Sequence, residues 1–236
     1  MGLPKIDQPL FELTVPSTEK KITFRPFTVK EEKVLLIARE SGDIEQIVLA
    51  VKQIVNNCCQ DVDVDTLSVF DLEYIMLQVR AKSVNNEIKF TIQDPDTEEE
   101  VELKIDIDEI QIIRDPDHVK KVELNDQYFM MMRYPTINEL AGLQDVEGEP
   151  EANILFNTMV ACIETLVDST TDEVYSFNDF SPEEIEEFVE QFTTSTVEQL
   201  QQFFATSPKM KYSVNYTDNT GKDKTFNMEG MDTFFT

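Results

Sequence analysis

Residues 87–107 read EIKFTIQDPDTEEEVELKIDI, and this stretch decides the fold class. Apolar residues occupy every second position at 88–92 and again at 101–107, with polar and mainly acidic residues between them. The segment 94–97, Asp-Pro-Asp-Thr, separates the two runs and is typical of a turn. Alternation with period two places one face of a strand pair against a core and the other face in water. The sequence therefore predicts an antiparallel hairpin with one strongly acidic face.

The chain before this hairpin combines strand and helix patterns. Residues 10–15 and 21–25 alternate on either side of a Pro-Ser-Thr-Glu turn, which predicts a strand pair. Thr28, Asp43 and Ser68 each precede an apolar pattern with helical spacing, and all three residue types are favoured N-caps. We therefore expect three helices between the strand pair and the acidic hairpin.

The chain after the hairpin repeats this alternation of types, without a repeat of solenoid period. The expected elements are an extended stretch at 120–134, a short helix at 137–143, a helix at 154–166, a strand at 174–177, a helix after Ser181, a helix capped by Ser195, and a hairpin of 210–216 with 224–228. Residues 145–150 are the best linker candidate. We expect an N-terminal region at 1–144 and a C-terminal region at 145–236, or one continuous domain. The predicted fold class is α+β, with small antiparallel hairpins and sheets interspersed with amphipathic helices.

The charge of the chain restricts its partners. Among 236 residues, 47 are Asp or Glu and 20 are Lys or Arg, which gives a net charge of −27 and a pI near 4.2. Such a surface repels phosphate groups, so we expect neither nucleic acid nor an anionic membrane as partner. No apolar run approaches the ~20 residues of a membrane span, and the sparse cysteines indicate synthesis in a reducing cytosol.

Candidate catalytic and metal-binding residues are few. Cys58, Cys59, Cys162 and His118 lack the spacing of a zinc site or of a Cys–His nucleophile pair, so we interpret the cysteines as core residues and His118 as part of a solvated turn. The acidic run 61–65 resembles the start of a calcium loop but lacks its glycine and its closing glutamate. The six glycines are isolated, so no phosphate loop is predicted. We expect a protein with no cofactor and no enzymatic activity.

Two features favour a role in protein binding. The acidic hairpin is either an ordinary hydrated sheet face or a docking surface for a basic partner, and its edge could accept a partner strand. The last residues, 228–236, include Phe234 and Phe235. This aromatic end either packs on its own domain or inserts into a neighbour.

Four stretches, taken in order, resemble one known family. They are VPS through KITFRPFTVKEEK at 15–33, DLEY through RAKSV at 71–84, MRYP at 132–135, and FFATSPKM through GMDTFF at 203–235. Together they span nearly the whole chain. The sequence resembles the baseplate hub family of T-even-type bacteriophages, a group of tail-assembly proteins of contractile-tailed phages.

This resemblance implies a non-enzymatic baseplate hub subunit or hub-assembly factor. The implied partners are baseplate hub and tape-measure proteins, and a homo-oligomer is compatible with the role. The protein is then expected in the host cytoplasm during assembly, and in the tail baseplate of the virion if it is a hub subunit rather than an assembly factor. The residues that we expect to contact a partner are Phe203, Phe204, Phe234, Phe235 and Tyr134, with Asp106 and Asp108 steering the approach.

Three other functions stay open at this point. A more distant resemblance suggests a tail assembly chaperone that holds a tape-measure protein. An acidic chain could also imitate DNA and occupy a host nuclease or polymerase, in which case carboxylates would be spaced like phosphates along one face. A metal-dependent hydrolase is the third alternative, and metal analysis of the purified protein would test it.

Overall fold

The computed structural model describes residues 6–141 and 151–229. Its elements group into two units. Unit 1 consists of Met1–Ile113 with Lys209–Thr236, and unit 2 consists of Arg114–Pro208. The linker expected at 145–150, and with it the expected region boundary, lies outside the described residues.

The described residues contain helices and short antiparallel strands in alternation, which confirms the α+β class. The helices are α1 (Val29–Ser41), α2 (Ile44–Cys58), α3 (Val69–Ser83), α4 (Ile137–Ala141), α5 (Glu151–Ala161), α6 (Pro182–Val189) and α7 (Thr194–Thr206). The strands are β1 (Phe11–Thr14), β2 (Lys21–Phe24), β3 (Cys59–Gln60), β4 (Glu87–Gln93), β5 (Glu100–Asp106), β6 (Gln111–Ile113), β7 (Lys121–Glu123), β8 (Tyr128–Met132), β9 (Ile163–Asp168), β10 (Glu173–Ser176), β11 (Lys209–Thr217) and β12 (Asp223–Glu229).

Unit 1 contains the strand pair, the three helices and the acidic hairpin that the sequence predicts. Strands β1, β2 and β3 form one antiparallel sheet, β4 and β5 form the hairpin, and β12, β11 and β6 form a third sheet in that order. The apolar face of the hairpin packs against α3, β11 and β12 in a core cluster. Ile105 is fully buried there, whereas Asp106 beside it is exposed. The predicted alternation is therefore confirmed.

The predicted N-caps of unit 1 lie where the sequence places them. Thr28 forms a capping box with Glu31 at the start of α1. The Asp43 side chain accepts a hydrogen bond from a first-turn amide of α2, and Ser68 does the same for α3. Gly42 ends α1 with φ of 66°, a left-handed conformation that glycine adopts at little cost.

Unit 2 is built on a four-stranded antiparallel sheet. The strand order is β10-β9-β8-β7. Side chains from the sheet, α5 and α7 form its core, which includes Met130, Met132, Cys162, Leu200 and Phe203.

Two expectations for unit 2 are wrong. The helix expected at 154–166 ends at Ala161, and Ile163–Asp168 is a strand. Residues 163, 165 and 167 are β-branched and favour a strand, and pairing with β8 decides the outcome. Helix α7 begins at Thr194 rather than after Ser195, because the Thr193 side chain accepts a hydrogen bond from the amide of Thr196.

The two units share an order of elements that the sequence pattern does not reveal. Unit 1 contains β1–β2–α1–α2–β3 and unit 2 contains β7–β8–α4–α5–β9, and in each unit the last of these strands pairs with the second. Further along, a 3-10 turn leads to a helix with a serine N-cap, Ser68 for α3 and Ser181 for α6.

A half-buried arginine marks the same place in both units. In unit 1, Arg25 Nη2 lies 3.0 Å from Glu31 Oε1, and in unit 2, Arg133 Nη1 lies 2.9 Å from Glu139 Oε2. The backbone N–H of each arginine also donates, at 2.9 Å, to the carbonyl of the cysteine that precedes the third strand of the unit. The two units therefore hold the strand-to-helix junction by the same contacts.

Candidate partner-binding cleft

A cleft of about 640 Å³ opens in unit 2 between the sheet and the helices α6 and α7. From the sheet side it is lined by Leu124, Asn125, Tyr128, Leu166 and Tyr175. From the 3-10 turn and the two helices it is lined by Phe177, Phe180, Glu184, Ile185, Phe188, Gln191, Phe192, Thr193 and Thr196. Most of these side chains are aromatic or aliphatic. The polar ones carry amide, carboxylate or hydroxyl groups.

The helix side of the cleft is an aromatic wall. Ile185, Phe188 and Phe192 project from one face of the chain, as their spacing predicts, and all three are half-buried. The ring centroids of Phe177 and Phe188 are 5.8 Å apart, and those of Phe188 and Phe192 are 5.5 Å apart, both in edge-on geometry. Phe180 also lines the cleft and is 40% exposed. Rings packed edge to face in this way form a firm apolar surface.

The start of α6 is fixed by its sequence. The Ser181 hydroxyl accepts from the amide of Glu184, and Glu184 Oε2 accepts from the amide of Ser181 at 2.9 Å. Pro182 follows the cap, where its missing N–H costs no hydrogen bond. This capping box orients the helix so that Glu184 and the aromatic side chains line the cleft.

The sheet side of the cleft carries two half-buried tyrosines. The Tyr175 hydroxyl donates to Glu173 Oε2 at 2.6 Å, and this hydrogen bond raises the pKa of Tyr175 to about 12. Tyr128 accepts at its hydroxyl from Gln127 Nε2 at 3.1 Å. Both tyrosines therefore present their rings to the cleft with the hydroxyl groups already engaged.

Asp168 ends β9, the strand that lies between the two tyrosine-bearing strands. Its carboxylate accepts from the hydroxyl and the amide of Thr170 at 2.6 and 2.8 Å, and from Gln127 Nε2 at 2.8 Å. The hydrogen bond from the Thr170 hydroxyl is the main reason why the pKa of Asp168 falls to about 2. The carboxylate thus fixes the β9–β10 turn and the residue that precedes β8.

The residues predicted to contact a partner lie in several places. Phe203 is only 2% exposed and belongs to the core of unit 2, so its ring is not available to a partner. It lies on the buried face of α7, together with Leu200. Phe204 and Tyr134 are half-buried beside that core. Asp106, the last residue of β5, and Asp108 in the following 3-10 turn are exposed, and Asp106 Oδ1 accepts from the amide of Asp108 at 3.0 Å.

The aromatic end of the chain lies outside the described residues, and this includes Phe234 and Phe235. Of the predicted contact residues that the structure describes, none lines the cleft. The sequence does contain one signal for the cleft residues, because the spacing of Ile185, Phe188 and Phe192 places them in one apolar stripe. Spacing alone does not reveal that this stripe is partly uncovered.

His118 lies in a different environment from the solvated turn expected for it. The ring is half-buried and stacks on Tyr134 with centroids 5.6 Å apart. Its Nδ1 is 2.9 Å from Thr206 Oγ1, and its Nε2 is 3.0 Å from the Tyr134 hydroxyl. Because Thr206 donates its own proton to the carbonyl of Gln202, we assign the His118 proton to Nδ1. Burial lowers the pKa of His118, which favours the neutral ring.

The three thiols are all buried. Burial raises the pKa of Cys58 to about 11 and the pKa values of Cys59 and Cys162 to about 12. Within residues 6–141 and 151–229, no three or more His, Cys, Asp or Glu side chains are placed so as to hold a metal ion. In the same part of the chain, no helix combines the length and the apolar character needed to cross a membrane.

Comparison with known proteins identifies the family of the chain. Neither the curated proteins nor the solved structures contain a match to it. The sequence model of the family described as T4 bacteriophage base plate protein matches residues 8–236. That match covers nearly the whole chain, and the chain therefore belongs to the T4 bacteriophage base plate protein family.

Proposed function

We propose that this protein is a baseplate hub subunit or a hub-assembly factor of a contractile phage tail, and that it acts by binding other tail proteins. The observation that carries this proposal is the aromatic cleft of unit 2. Its half-buried Phe188 and Phe192 and its exposed Phe180 are aromatic side chains of the kind that is enriched at protein interfaces. The protein carries out no bond-making chemistry in this proposal.

The negative charge of the chain supports a role in protein binding, because it attracts a basic partner over a distance. A net charge of −27 accelerates the encounter with a basic partner and opposes binding of wrong, acidic partners. Exposed acids such as Asp106 and Asp108 add to this field. The proposed partners are the baseplate hub and tape-measure proteins, met in the host cytoplasm during assembly.

Co-purification tests the proposal. The protein is expressed together with the hub and tape-measure proteins of the same phage, as the wild type and as Phe180→Ser. Val174→Ser is the matched control, because Val174 is 61% exposed in unit 2 but does not line the cleft. We expect Phe180→Ser to reduce recovery of the partner at least tenfold and the control to leave it unchanged. Equal recovery with all three proteins would reject the cleft as the binding site.

A tail assembly chaperone for the tape-measure protein is the second candidate. The open cleft favours it, because a chaperone must cover apolar segments temporarily. The two roles differ in the finished particle. Mass spectrometry of purified virions is expected to find this chain if it is a hub subunit and not if it is a chaperone or assembly factor.

Deletion of residues 230–236 in the same co-purification experiment tests the proposed contacts of Phe234 and Phe235. We expect the deletion to reduce recovery of the partner.

A further inference from the structure

We infer that the cleft of unit 2 binds a basic amphipathic segment of a partner protein, with apolar side chains in the cleft and Lys or Arg side chains against its rim. This inference rests on the proposed binding function and specifies the chemistry of the partner. It combines three observations, namely an uncovered apolar face, an acidic rim, and the charge of the whole chain.

Comparison with the equivalent helix of unit 1 shows that the described residues cover the apolar face of α6 less completely than that of α3. Counted from the capping serine, Leu67 and Leu72 of unit 1 correspond to Phe180 and Ile185 of unit 2. Leu67 is 5% exposed and Leu72 is fully buried. Phe180 is 40% exposed and Ile185 is half-buried. The same positions are therefore core in unit 1 and accessible surface in unit 2.

The volume of the cleft suits a short segment of a partner. At about 640 Å³ it falls within the range of pockets that bury a small ligand, which is roughly 300–1,000 Å³. It can take a few apolar side chains, while the rest of the segment stays at the surface. The amide nitrogen of the exposed Asn125 side chain and the amide oxygen of the exposed Gln191 side chain can bond the backbone of that segment.

The rim of the cleft is acidic and lacks basic residues of its own. No Lys, Arg or His occurs between Arg133 and Lys209, although Asp and Glu recur throughout this stretch. Glu184 lines the cleft, Glu187 lies one helical turn further along α6, and Glu173 bonds Tyr175 in the opposite wall. The described part of unit 2 contains four Lys or Arg residues, and none of them lines the cleft; they are Arg114, Lys120, Lys121 and Arg133. Lys121 pairs with Glu123, and Arg133 pairs with Glu139.

The net charge of the chain argues against other occupants. A second copy of the protein also carries −27, so two copies repel each other over a Debye length, which is about 8 Å at physiological salt. Nucleic acid and anionic lipid are repelled for the same reason. A segment that brings both apolar side chains and positive charge satisfies both features of the cleft.

Fluorescence anisotropy with three labelled peptides and the full-length protein tests the inference. The first peptide carries Leu and Phe with helical spacing and Lys elsewhere. The second keeps the apolar residues and replaces every Lys by Glu, and the third keeps the Lys residues and replaces the apolar residues by Ser. We expect the first peptide to bind at least tenfold tighter than either of the others, and its Kd to rise when the salt concentration rises.

Variants of the protein separate the cleft from the general negative charge. Phe180→Ser and Glu187→Lys are expected to weaken binding of the first peptide at least tenfold and at least threefold, respectively. The control is Glu102→Lys, which makes the same charge change outside the cleft, because Glu102 is an exposed residue of β5 in unit 1. Circular dichroism verifies that each variant is folded. Equal weakening by Glu187→Lys and Glu102→Lys would show non-specific attraction and would overturn the inference.

The remaining outcomes are also decisive. If the acidic peptide binds as tightly as the basic one, the inferred partner chemistry is wrong, while the proposed baseplate function is unaffected. If the protein alone forms a dimer that Phe180→Ser dissociates, the occupant is a second copy and the inference is wrong. If the basic peptide binds in the cleft but hub and tape-measure proteins fail to co-purify, the inference holds and the proposed function is wrong.

Discussion

The backbone amide of Ser17 donates to Oδ1 of Asp71 at 2.8 Å, and this bond ties the β1–β2 turn to the first turn of α3. The second oxygen of Asp71 accepts from the Ser68 hydroxyl. At the corresponding position of unit 2, Glu184 accepts from the amide of Ser181, its own N-cap. In the described residues no such bond reaches from the β7–β8 turn to Glu184. Unit 1 is closed at the place where unit 2 has its cleft.

Replacing Asp71 by Ala is expected to destabilise unit 1. The side chain is fully buried, and its removal leaves the Ser17 amide and the Ser68 hydroxyl without their acceptor, at a cost of about 2–3 kcal/mol. Glu184→Ala removes only an exposed cap bond and is expected to cost about 0.5–1 kcal/mol. Urea denaturation followed by circular dichroism measures both variants. A smaller loss for Asp71→Ala than for Glu184→Ala would contradict the assignment.

Lys224 is expected to control the acid stability of unit 1. Its Nζ lies 2.7 Å from Asp94 Oδ1 and 3.1 Å from Asp218 Oδ2, at the turns of two hairpins. The hydrogen bond from Lys224 is the main reason why the pKa of Asp94 lies far below its usual range. A carboxylate with a lowered pKa stabilises the fold above its unfolded pKa, near 4, and this contribution fades as the pH falls towards the folded value.

Lys224→Met should therefore lower the urea midpoint most at pH 7, where it leaves the two carboxylates buried without their cation. The difference from the wild type should shrink as the pH falls below about 4, because protonation removes the charges. Lys104→Met is the control, since Lys104 is 54% exposed and 3.8 Å from Glu87. If the urea midpoints of Lys224→Met and the wild type differ by the same amount from pH 7 to pH 3, the ion pairs of Lys224 with Asp94 and Asp218 do not control acid stability.

Local sequence signals are sufficient to predict much of unit 1. The β4–β5 hairpin is predictable because its alternation, its turn and its acidic face agree. The helix starts at Thr28 and Ser68 are predictable because a cap precedes a helical apolar pattern at both sites. These signals all lie within a few residues of the elements that they predict.

The errors and omissions concern contacts between residues that are distant in sequence. Residues 163–168 carry an apolar pattern that suits either a helix or a strand, and only pairing with β8 decides between them. His118 becomes half-buried because Thr206 and Tyr134 bond both ring nitrogens. The stripe of α6 shows which face is apolar, but periodicity does not show whether another element covers that face. The cleft is for this reason invisible in the sequence.

The buried thiols are expected to be unreactive in the native protein. Because burial raises the pKa of Cys58 to about 11 and of Cys162 to about 12, the thiolate fraction at pH 8 is very small. An aromatic disulfide reagent should label none of the three cysteines within minutes at pH 8, and all three in denaturant. Ser195→Cys, which places a thiol on the exposed start of α7, is the positive control. Rapid labelling of a native cysteine would show that the segment around it opens.

Asp168 is expected to couple the stability of the sheet to binding in the cleft. Asp168→Ala removes the acceptor of Gln127 and Thr170, so the residue before Tyr128 and the turn that leads to Tyr175 each lose a contact. The variant should bind the basic amphipathic peptide at least threefold more weakly and should unfold at a lower temperature. Asp168→Asn keeps one carbonyl acceptor, so its peptide affinity and its unfolding temperature should lie between those of Asp168→Ala and the wild type.

The pH dependence of the Asp168→Ala variant separates the ionised carboxylate from the rest of the side chain. Since the pKa of Asp168 is about 2 in the folded protein and near 4 when unfolded, its contribution to stability is fully present above pH 4. That contribution is lost as the pH falls towards 2, so the difference in stability between the wild type and Asp168→Ala should narrow at low pH. The difference that persists there comes from the neutral carboxyl group. Unchanged peptide affinity in a destabilised Asp168→Ala protein would show that the carboxylate supports only the fold of unit 2, because the tyrosines would then hold their places in the cleft without it.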